Sequence, residues 1–429
     1  MTTPGRSRVV AWALWDCGAT GMNAIVITFV FSVYLTGTVG AGLPGPTTPT
    51  AWLGRVLGIA GLVIATLAPA TGIWVDVGHR RRAVLTVLTG LAVAFTASMS
   101  LIRADVDYLW PGLILLACVA ACSDLATVPY NAMLRELSTP DTSGRISGFG
   151  SAAGYFGSVL LLLIVYLGLM TGDGDTRGLL GVPADDGWPV RSAVLLTAAW
   201  FVLFALPLLT MRDVEAPADD GTRIGFLGAY RKLWTELTEQ WRRDHHIVYY
   251  LVASAIFRDG LTGVFQFGAV LGAGVYGVSD ANILLFGVCA CVVAAVGAVL
   301  GGLVDDRVGS KAVIVGSLSA MIVVTLVLLS LDGPVAFWVF GLLLCLFVGP
   351  TQASARTQML RMSIEGKEGV AFGLYTTTGR AASYLAPAFV ATFIAVFGTD
   401  RAGLGGICAV LALGLFAMLL VRAPRRHRT

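Results

Sequence analysis

The chain has 429 residues, of which 56% are hydrophobic and only 13% are charged. A soluble globular domain carries about a quarter charged residues, so this composition excludes a long soluble enzyme, a disordered protein and a nucleic-acid-binding protein. The formal net charge of +3 provides no strong positive field for a phosphate backbone. Long apolar runs, rather than short alternating segments, predict an all-α integral membrane protein instead of a β-barrel.

Twelve apolar segments are long enough to cross a membrane, which takes about 20 residues. The first segment is too long for a signal peptide, contains Asp16 and is not followed by a cleavage-type site, so we interpret it as a true span. The predicted spans are 9–35, 53–74, 83–102, 109–134, 146–170, 193–211, 248–276, 283–304, 312–331, 335–360, 370–397 and 404–421.

The loops divide into a basic set and a set that is poor in Lys and Arg. Loops after even-numbered spans, together with both ends of the chain, hold most of these residues. The other side holds only Arg55, Arg103, Arg177, Arg191 and Arg401. Because cytoplasmic loops carry the excess of Lys and Arg, both termini are predicted to be cytoplasmic, in a multi-pass protein of the cytoplasmic membrane.

The longest polar stretch lies in the middle of the chain and separates six spans from six. We therefore predict a six-helix bundle over 1–211, a cytoplasmic linker over 212–246 and a second six-helix bundle over 247–429. Apolar side chains recur at helical spacing within the linker, which predicts an amphipathic helix along the inner membrane surface. A helix that only joins the two bundles is the simpler interpretation.

Three short motifs recur, in the same order, in both halves of the chain. ALWDCGATG at 13–21 aligns with AIFRDGLTG at 255–263. GIWVD at 72–76 aligns with GLVDD at 302–306, and MLR occurs at 133 and again at 359. Such a duplication predicts two pseudo-symmetric bundles, an arrangement typical of secondary transporters whose site lies near the membrane midplane.

The second of these repeats belongs to a longer pattern of glycine, aspartate and basic residues. Its members are Gly72, Asp76, Arg80 and Arg81 in the first copy and Gly302, Asp306, Arg307, Gly309 and Lys311 in the second. Both copies resemble the inner-loop signature of the major facilitator superfamily, although the first is shortened and lacks an arginine after its aspartate. The resemblance implies the twelve-helix major facilitator fold and a latch that holds the outward-facing state.

The residue types of this pattern have physical roles of their own. Glycine lets two helices approach closely, and an aspartate can meet a helix N-terminus or a nearby arginine. Simple charge asymmetry across the membrane is the alternative explanation for the pattern.

Five further motifs resemble one branch of that superfamily, the vacuole effluxers, which is related to fungal vacuolar amino-acid exporters. They are WALWD at 12–16, YNAML at 130–134, GRISG at 144–148, GYFG at 154–157 and QASAR at 352–356. The resemblance implies amino acids or short peptides as the solute and export as the direction. The chain departs from the branch at Arg135, where proline is usual, and in VAFG at 370–373.

Ionisable side chains inside spans cost several kcal/mol unless they are paired or wetted, so they are the first functional candidates. Polar residues recur at helical spacing on spans 1, 4, 7 and 10, which predicts one wet face on each helix and a central polar cavity. The candidates for the cavity are Asp16, Thr20, Asn23, Asp124, Asn131, Arg258, Asp259, Gln266, Gln352, Arg356 and Arg380.

Two hypotheses concern the carboxylates. The repeat alignment places Asp16 opposite Arg258, so these two residues are predicted to form an ion pair that protonation of Asp16 would open; an acid at the membrane interface is the alternative. Asp124 either pairs with a residue of span 5 or 11, or it carries a proton. Arg356 and Arg380 are suited to bind a carboxylate or phosphate, or they form structural pairs.

We therefore predict a monomeric secondary transporter that moves a small polar solute across the lipid bilayer, driven by protons. A sodium-coupled sugar symporter, which would need carboxylates clustered around sodium, is an alternative, as is a non-transporting scaffold or receptor. The seven cysteines lie within apolar runs and no zinc-type ligand set appears. Neither a metal nor a cofactor, nor enzymatic activity, nor a nucleic-acid partner is expected.

Overall fold

The computed structural model of the protein describes residues 5–76, 80–172, 174–211, 228, 231, 235 and 245–422. The predicted linker and its amphipathic helix lie almost entirely outside these residues. Each of the twelve predicted spans is confirmed, and most helices continue beyond their apolar segment. The spans are Arg6–Gly42, Pro49–Asp76, Arg81–Leu101, Val106–Leu137, Ser143–Met170, Asp185–Leu209, His246–Gly274, Asp280–Val308, Ser310–Leu329, Pro334–Met362, Glu368–Phe397 and Ala402–Leu420.

Several spans consist of more than one helical segment. Span 1 continues from an α-helix (Arg6–Asn23) through a π-helix (Ala24–Phe29) into Phe31–Gly37 and the short turn Val39–Gly42. Span 3 comprises Arg81–Ser98 and Met99–Leu101, and span 4 comprises Val106–Tyr108, Leu109–Ala132 and Leu134–Leu137. Span 5 comprises Ser143–Val165 and Tyr166–Met170, and span 6 comprises Asp185–Gly187 and Trp188–Leu209.

Span 11 is broken near the middle. Its first segment is Glu368–Ala382 and its second is Leu385–Phe397. Between spans 5 and 6, two short antiparallel strands, β1 (Thr176–Arg177) and β2 (Val182–Pro183), form a hairpin. Between spans 8 and 9 the turn is a single residue, Gly309, at φ +94°; glycine reaches this conformation without the strain a side chain would cause.

The helices form two six-helix bundles, spans 1–6 and spans 7–12, and glycines set how closely neighbouring spans cross. Within the first bundle, a Cβ on Gly150 would clash with the ring of Trp12, and one on Gly157 would lie 2.5 Å from the carbonyl oxygen of Cys17. Between the bundles, a Cβ on Gly302 of span 8 would lie 2.5 Å from the carbonyl oxygen of Gly144 of span 5. These contacts bring backbones together, as small residues do in membrane helices.

Span 1 begins and span 12 ends on one face of the bundle, which we call the terminal face. Spans 2, 4, 8 and 10 end there. The bonds between the two halves lie at this face or at mid-depth: Ser147 donates to the carbonyl oxygen of Ala353 at 2.8 Å, and Tyr155 donates to Gln352 at 2.6 Å. At the opposite face, the described arginines bond within their own half: Arg191 to the Ser100 carbonyl and Arg401 to the Leu331 carbonyl. The molecule is therefore closed at its terminal face.

Substitution of Gly157 tests the close crossing of spans 1 and 5. We expect Gly157→Ala to lower the free energy of unfolding by about 1–3 kcal/mol, since the added methyl group overpacks against Cys17. The control is Gly58→Ala, because a Cβ there meets nothing within 4 Å and alanine favours a helix by about 1 kcal/mol over glycine. Thermal unfolding of both variants in the same detergent gives the measurement; equal effects would contradict the packing argument.

Candidate functional site

The end of span 2 is attached to the start of span 11 by a carboxylate. Asp76 Oδ1 accepts a hydrogen bond from the Gly369 amide at 2.8 Å, and Oδ2 accepts one from the Val370 amide at 2.9 Å. These amides belong to the first turn of the helix Glu368–Ala382, where N–H groups lack intrahelical partners and the helix dipole favours a negative charge. Asp76, in the first half, thus caps a helix of the second half.

Around this cap lies a group of charged residues that joins the halves, with Glu368 buried at its centre. Glu368 is 1% exposed; it accepts hydrogen bonds from Arg81 Nη2 at 2.7 Å and from Arg135 Nε at 2.9 Å. Arg81 also donates to Glu136 at 2.9 Å and lies 3.6 Å from Asp76. We call these five residues the span 11 latch. Because every charge has an opposite partner within it, burial of the group is tolerated.

A second cap is related to the first by the sequence repeat. Asp306, at the end of span 8, accepts hydrogen bonds from the amides of Gly144 at 2.8 Å and Arg145 at 3.1 Å, in the first turn of span 5. Arg361 pairs with the neighbouring Asp305 and donates to Ser310 at 2.6 Å. We call this group the span 5 latch. In both latches, an aspartate of one half caps a helix of the other half.

The sequence pattern included residues that lie outside these two contacts and omitted others that form them. Arg80 and Arg307 are exposed on the terminal face. Lys311 donates to the Leu419 carbonyl at 3.1 Å and to Val421, so it holds the end of span 12. The omitted residues include Arg135 and Arg361, which the repeated MLR motif could have indicated, and Glu368, an acid at a helix start.

At mid-depth, an ion pair connects span 1 with span 10. Asp16 Oδ2 lies 3.5 Å from Arg356 Nη2, and Thr20 donates to Asp16 Oδ1 at 3.2 Å. The side chains of the pair are 15% and 16% exposed. The hypothesis that Asp16 pairs with Arg258 is therefore wrong. Arg258 instead turns toward span 11, where its guanidinium lies 3.8 Å from the centre of the Tyr375 ring and donates to the Tyr375 carbonyl at 3.0 Å.

Aromatic rings support the Asp16–Arg356 pair from the first half. Tyr130 stacks on Trp12, with ring centres 4.5 Å apart, and on Trp15 at 4.4 Å. The Arg356 guanidinium lies 5.4 Å from the Trp12 ring and 5.5 Å from the Tyr130 ring, so cation–π attraction adds to the charge pair. The hydroxyl of Tyr130 is buried beside both members of the ion pair. The WALWD and YNAML motifs contained these rings, but nothing in their spacing assigned them to the site.

A second ion pair connects span 4 with span 11. Arg380 Nε and Nη2 both bond to Asp124 Oδ2. The sequence left two options for Asp124, an ion pair with span 5 or 11 or a bound proton. In the structure, Asp124 forms an ion pair with span 11. The Arg380 side chain is 38% exposed and that of Asp124 is 19% exposed, so water reaches this pair more easily than it reaches Asp16 and Arg356.

The other predicted cavity residues occupy different environments. Asn23 accepts a hydrogen bond from Ser123 at 3.2 Å, and Gln352 accepts one from Tyr155 of the other half. Asn131 is 8% exposed, and its side-chain oxygen has no hydrogen-bond partner among the described residues. Asp259 accepts a hydrogen bond from the Ala386 amide just beyond the break in span 11, while Gln266 is exposed. Mid-depth charges and polar groups thus line the seam between the halves.

Within the described residues, no group of three or more His, Cys, Asp or Glu side chains could hold a metal ion. The arrangement offers paired charges across a seam and two helix caps at one face. Both are contacts between the two halves of the chain.

A family model described as vacuole effluxer Atg22 like matches residues 55–429. The chain belongs to this family. An uncharacterized MFS-type transporter of Bacillus subtilis, YxiO, is 20% identical over 412 residues, which cover 96% of this chain and 94% of the relative. Autophagy-related protein 22 of Yarrowia lipolytica is 23% identical over 318 residues, covering 67% of this chain and 52% of the relative. This Atg22-like chain therefore spans about half the length of that fungal relative.

Solved structures show the same fold. The proton:xylose symporter XylE superposes with a TM-score of 0.73 at 15% sequence identity, covering 97% of this chain and 96% of that one. FucP, in the outward conformation, superposes with a TM-score of 0.71 at 13% identity, covering 98% and 100%. The Atg22-like protein thus has the major facilitator fold.

Removal of one partner tests the Asp16–Arg356 pair. Asp16→Ala leaves a largely buried guanidinium without its carboxylate, which we expect to cost about 3 kcal/mol of unfolding free energy. The double variant Asp16→Ala/Arg356→Met removes both charges and keeps an apolar side chain against Trp12, so at least half of that loss should be recovered. Thermal unfolding in detergent gives all the values.

The matched control for that pair is Asp332→Ala. Asp332 pairs with Arg401 at the opposite face, but its side chain is 85% exposed, so its removal should change stability by less than about 1 kcal/mol. A double variant no more stable than Asp16→Ala alone would contradict the pairing of Asp16 with Arg356.

Proposed function

We propose that this protein is a proton-coupled transporter that moves a small polar solute across the cytoplasmic membrane by alternating access, with amino acids or short peptides as the first candidates. The observation that carries the proposal is the pair of mid-depth ion pairs, Asp16–Arg356 and Asp124–Arg380, each of which joins the first half to the second. Ionisable side chains inside a membrane protein mark substrate or proton pathways, and transporters place their sites near the midplane between the two halves.

The proposed orientation has both termini in the cytoplasm, because the terminal face carries most of the Lys and Arg residues. The closed terminal face then makes this an outward-facing conformation. The span 11 and span 5 latches seal the cytoplasmic side in this state, and the halves rock apart there when both helix caps open. Since the amides of Gly369 and Gly144 lose their carboxylate partners on opening, water or ligand-driven contacts elsewhere must compensate.

Protons enter the cycle through Asp16 and Asp124. Each carboxylate neutralises an arginine of the other half, so a proton on the carboxylate removes the attraction and leaves the arginine to bind solute or to turn elsewhere. The protonation state thereby changes the free-energy difference between the two conformations, and this difference is what couples a proton gradient to transport. The suggestions of amino acids as solute and export as direction rest on the similarity to the vacuole effluxers.

Flux in proteoliposomes tests the proposal. With a pH-sensitive dye inside, we expect a proton current when one solute from a panel of amino acids, peptides, sugars and lipophilic cations is added. Asp16→Asn and Asp124→Asn should each reduce that current at least about tenfold, because an amide cannot release or take up the proton. Asp332→Asn is the control, since it alters an exposed loop pair only.

The outcomes of the flux experiment separate the alternatives. Uptake that requires sodium and proceeds without a proton signal would show that the coupling ion is sodium and not the proton. No flux of any solute, together with unchanged behaviour of Asp16→Asn and Asp124→Asn, would favour a scaffold or receptor and overturn the transport proposal.

Glu368 offers a separate test of the latch. In Glu368→Gln, two arginines lose their common carboxylate, so the terminal face should open about tenfold more often, given the 1.5–3 kcal/mol of a hydrogen bond to a charged group. Ser147 is fully buried at the seam. We introduce a thiol with Ser147→Cys in a background without the native cysteines. This thiol should react about tenfold faster with a thiol reagent in the Glu368→Gln variant than in the chain that retains Glu368.

The matched control for the latch is Glu365→Gln, because Glu365 is an exposed acid three residues before Glu368, in the loop that precedes the helix. Unchanged reactivity in Glu368→Gln, or an equal increase in Glu365→Gln, would show that the span 11 latch does not hold the face closed.

A further inference from the structure

Arg258 is a mid-depth cation that is not matched by a carboxylate of any residue that the structure describes. Of the three mid-depth arginines, Arg356 and Arg380 pair with Asp16 and Asp124. The remaining acid, Asp259, adjoins Arg258 in sequence but bonds to the backbone amide of Ala386. No described carboxylate lies within 4.0 Å of the Arg258 guanidinium, which bonds only to the carbonyl oxygen of Tyr375.

The surroundings of Arg258 form a cradle that leaves part of the guanidinium accessible. One face lies on the Tyr375 ring at 3.8 Å. Beside it, Gly379 has no side chain, and a Cβ there would lie 2.9 Å from Nη1. In Arg258, only Nη1 donates a hydrogen bond to a described residue. Its other side-chain nitrogens are accessible to solvent, whereas Nη1 of Arg356 is buried. An arginine has five N–H donors, so most of those of Arg258 remain available.

This side of span 7 faces the seam. Arg258, Thr262 and Gln266 are spaced four residues apart and therefore share one helix face, and both Thr262 and Gln266 are exposed. Phe265, next to Gln266, has its ring centre 6.2 Å from that of Tyr155 in the first half. The accessible edge of Arg258 thus belongs to the face that lines the gap between the two bundles.

We propose that Arg258 is the binding group for a carboxylate of the solute, held in the cradle of Tyr375 and Gly379; the description of the ligand as a transported solute rests on the proposed function. A planar guanidinium matches a carboxylate with two parallel hydrogen bonds. A cation at mid-depth without a counter-charge is costly, so an anionic group that enters the gap satisfies a charge that no carboxylate of the described residues neutralises.

Binding to the purified full chain in nanodiscs tests this proposal. The probes are radiolabelled L-alanine, L-lactate and succinate, each compared with its amide by equilibrium dialysis. We expect at least one carboxylate to bind about tenfold more tightly than its amide. Arg258→Gln should weaken binding of that carboxylate about tenfold or more while changing binding of the amide little, so that the preference disappears.

Two further variants keep the result interpretable. Arg258→Lys retains the charge and should retain part of the preference, although the double hydrogen bond is lost. Arg55→Gln is the control for loss of an arginine that lies on an aromatic ring, because Arg55 is exposed and lies 4.7 Å from the Trp52 ring in the first turns of span 2. It should leave every affinity unchanged. Size-exclusion profiles confirm that each variant is folded.

Two results would overturn the proposal. In the first, no carboxylate binds more tightly than its amide. In the second, Arg258→Gln lowers thermal stability but leaves the ratio of carboxylate to amide affinity unchanged, which is the behaviour of a residue that only fastens span 7 to span 11.

Failure here is distinguishable from failure of the proposed transport function. If the protein transports a neutral solute and Arg258→Gln does not change that flux, the transport proposal stands and the carboxylate site at Arg258 does not. If a carboxylate binds in a manner that depends on Arg258 but the protein shows no flux, the carboxylate site stands and the transport proposal does not.

Discussion

A charged side chain in the hydrocarbon layer needs a neutralising partner, and in this protein that partner often belongs to the other half of the molecule. Asp16 and Asp124 of the first half pair with Arg356 and Arg380 of the second. At the terminal face, Asp76 caps a helix of the second half. Movement of one bundle against the other therefore separates charges and helix caps together. The cost of leaving any of them unpaired makes partly opened arrangements unfavourable, so the seam favours discrete closed and open states.

The two latches share their capping geometry but differ in the ion pairs they contain. In the span 11 latch, Glu368 joins Arg81 and Arg135 across the seam at 2.7 and 2.9 Å. In the span 5 latch, the close pair of Arg361 and Asp305 lies within the second half, and the bonds across the seam go mainly to backbone groups. Opening the first contact therefore breaks buried charge pairs, whereas opening the second mainly releases amides and carbonyls that water can satisfy. The two repeats thus share a capping aspartate, Asp76 or Asp306, but the contact between the halves is stronger at the span 11 latch than at the span 5 latch.

The sequence alone predicts the spans, the duplication and the latch aspartates, because hydropathy and helical spacing are local properties. The partners of the mid-depth charges are not local. Repeat alignment places Asp16 and Arg258 at corresponding positions, but side-chain direction depends on the neighbouring helices. Arg258 turns toward span 11 because the Tyr375 ring attracts a cation and Gly379 leaves room for it. Glu368 was missed for a similar reason: an acid at a helix start is common in soluble and membrane proteins alike, and only the two arginines packed onto it show that it closes a face.

Span 11 connects the latch to the mid-depth charges. Its first turn offers Gly369 and Val370 to Asp76, and its middle carries Tyr375 and Arg380. Span 7 holds it on both sides of the break, through Arg258 at the carbonyl of Tyr375 and through Asp259 at the amide of Ala386. A carboxylate bound to Arg258 in its cradle would contact the segment Glu368–Ala382, whose other end is the latch, and not the segment beyond the break, which is attached to Asp259. Because span 11 is broken between the two segments, occupancy of the gap would act on the segment that forms the latch, without any contact between the ligand and the latch itself.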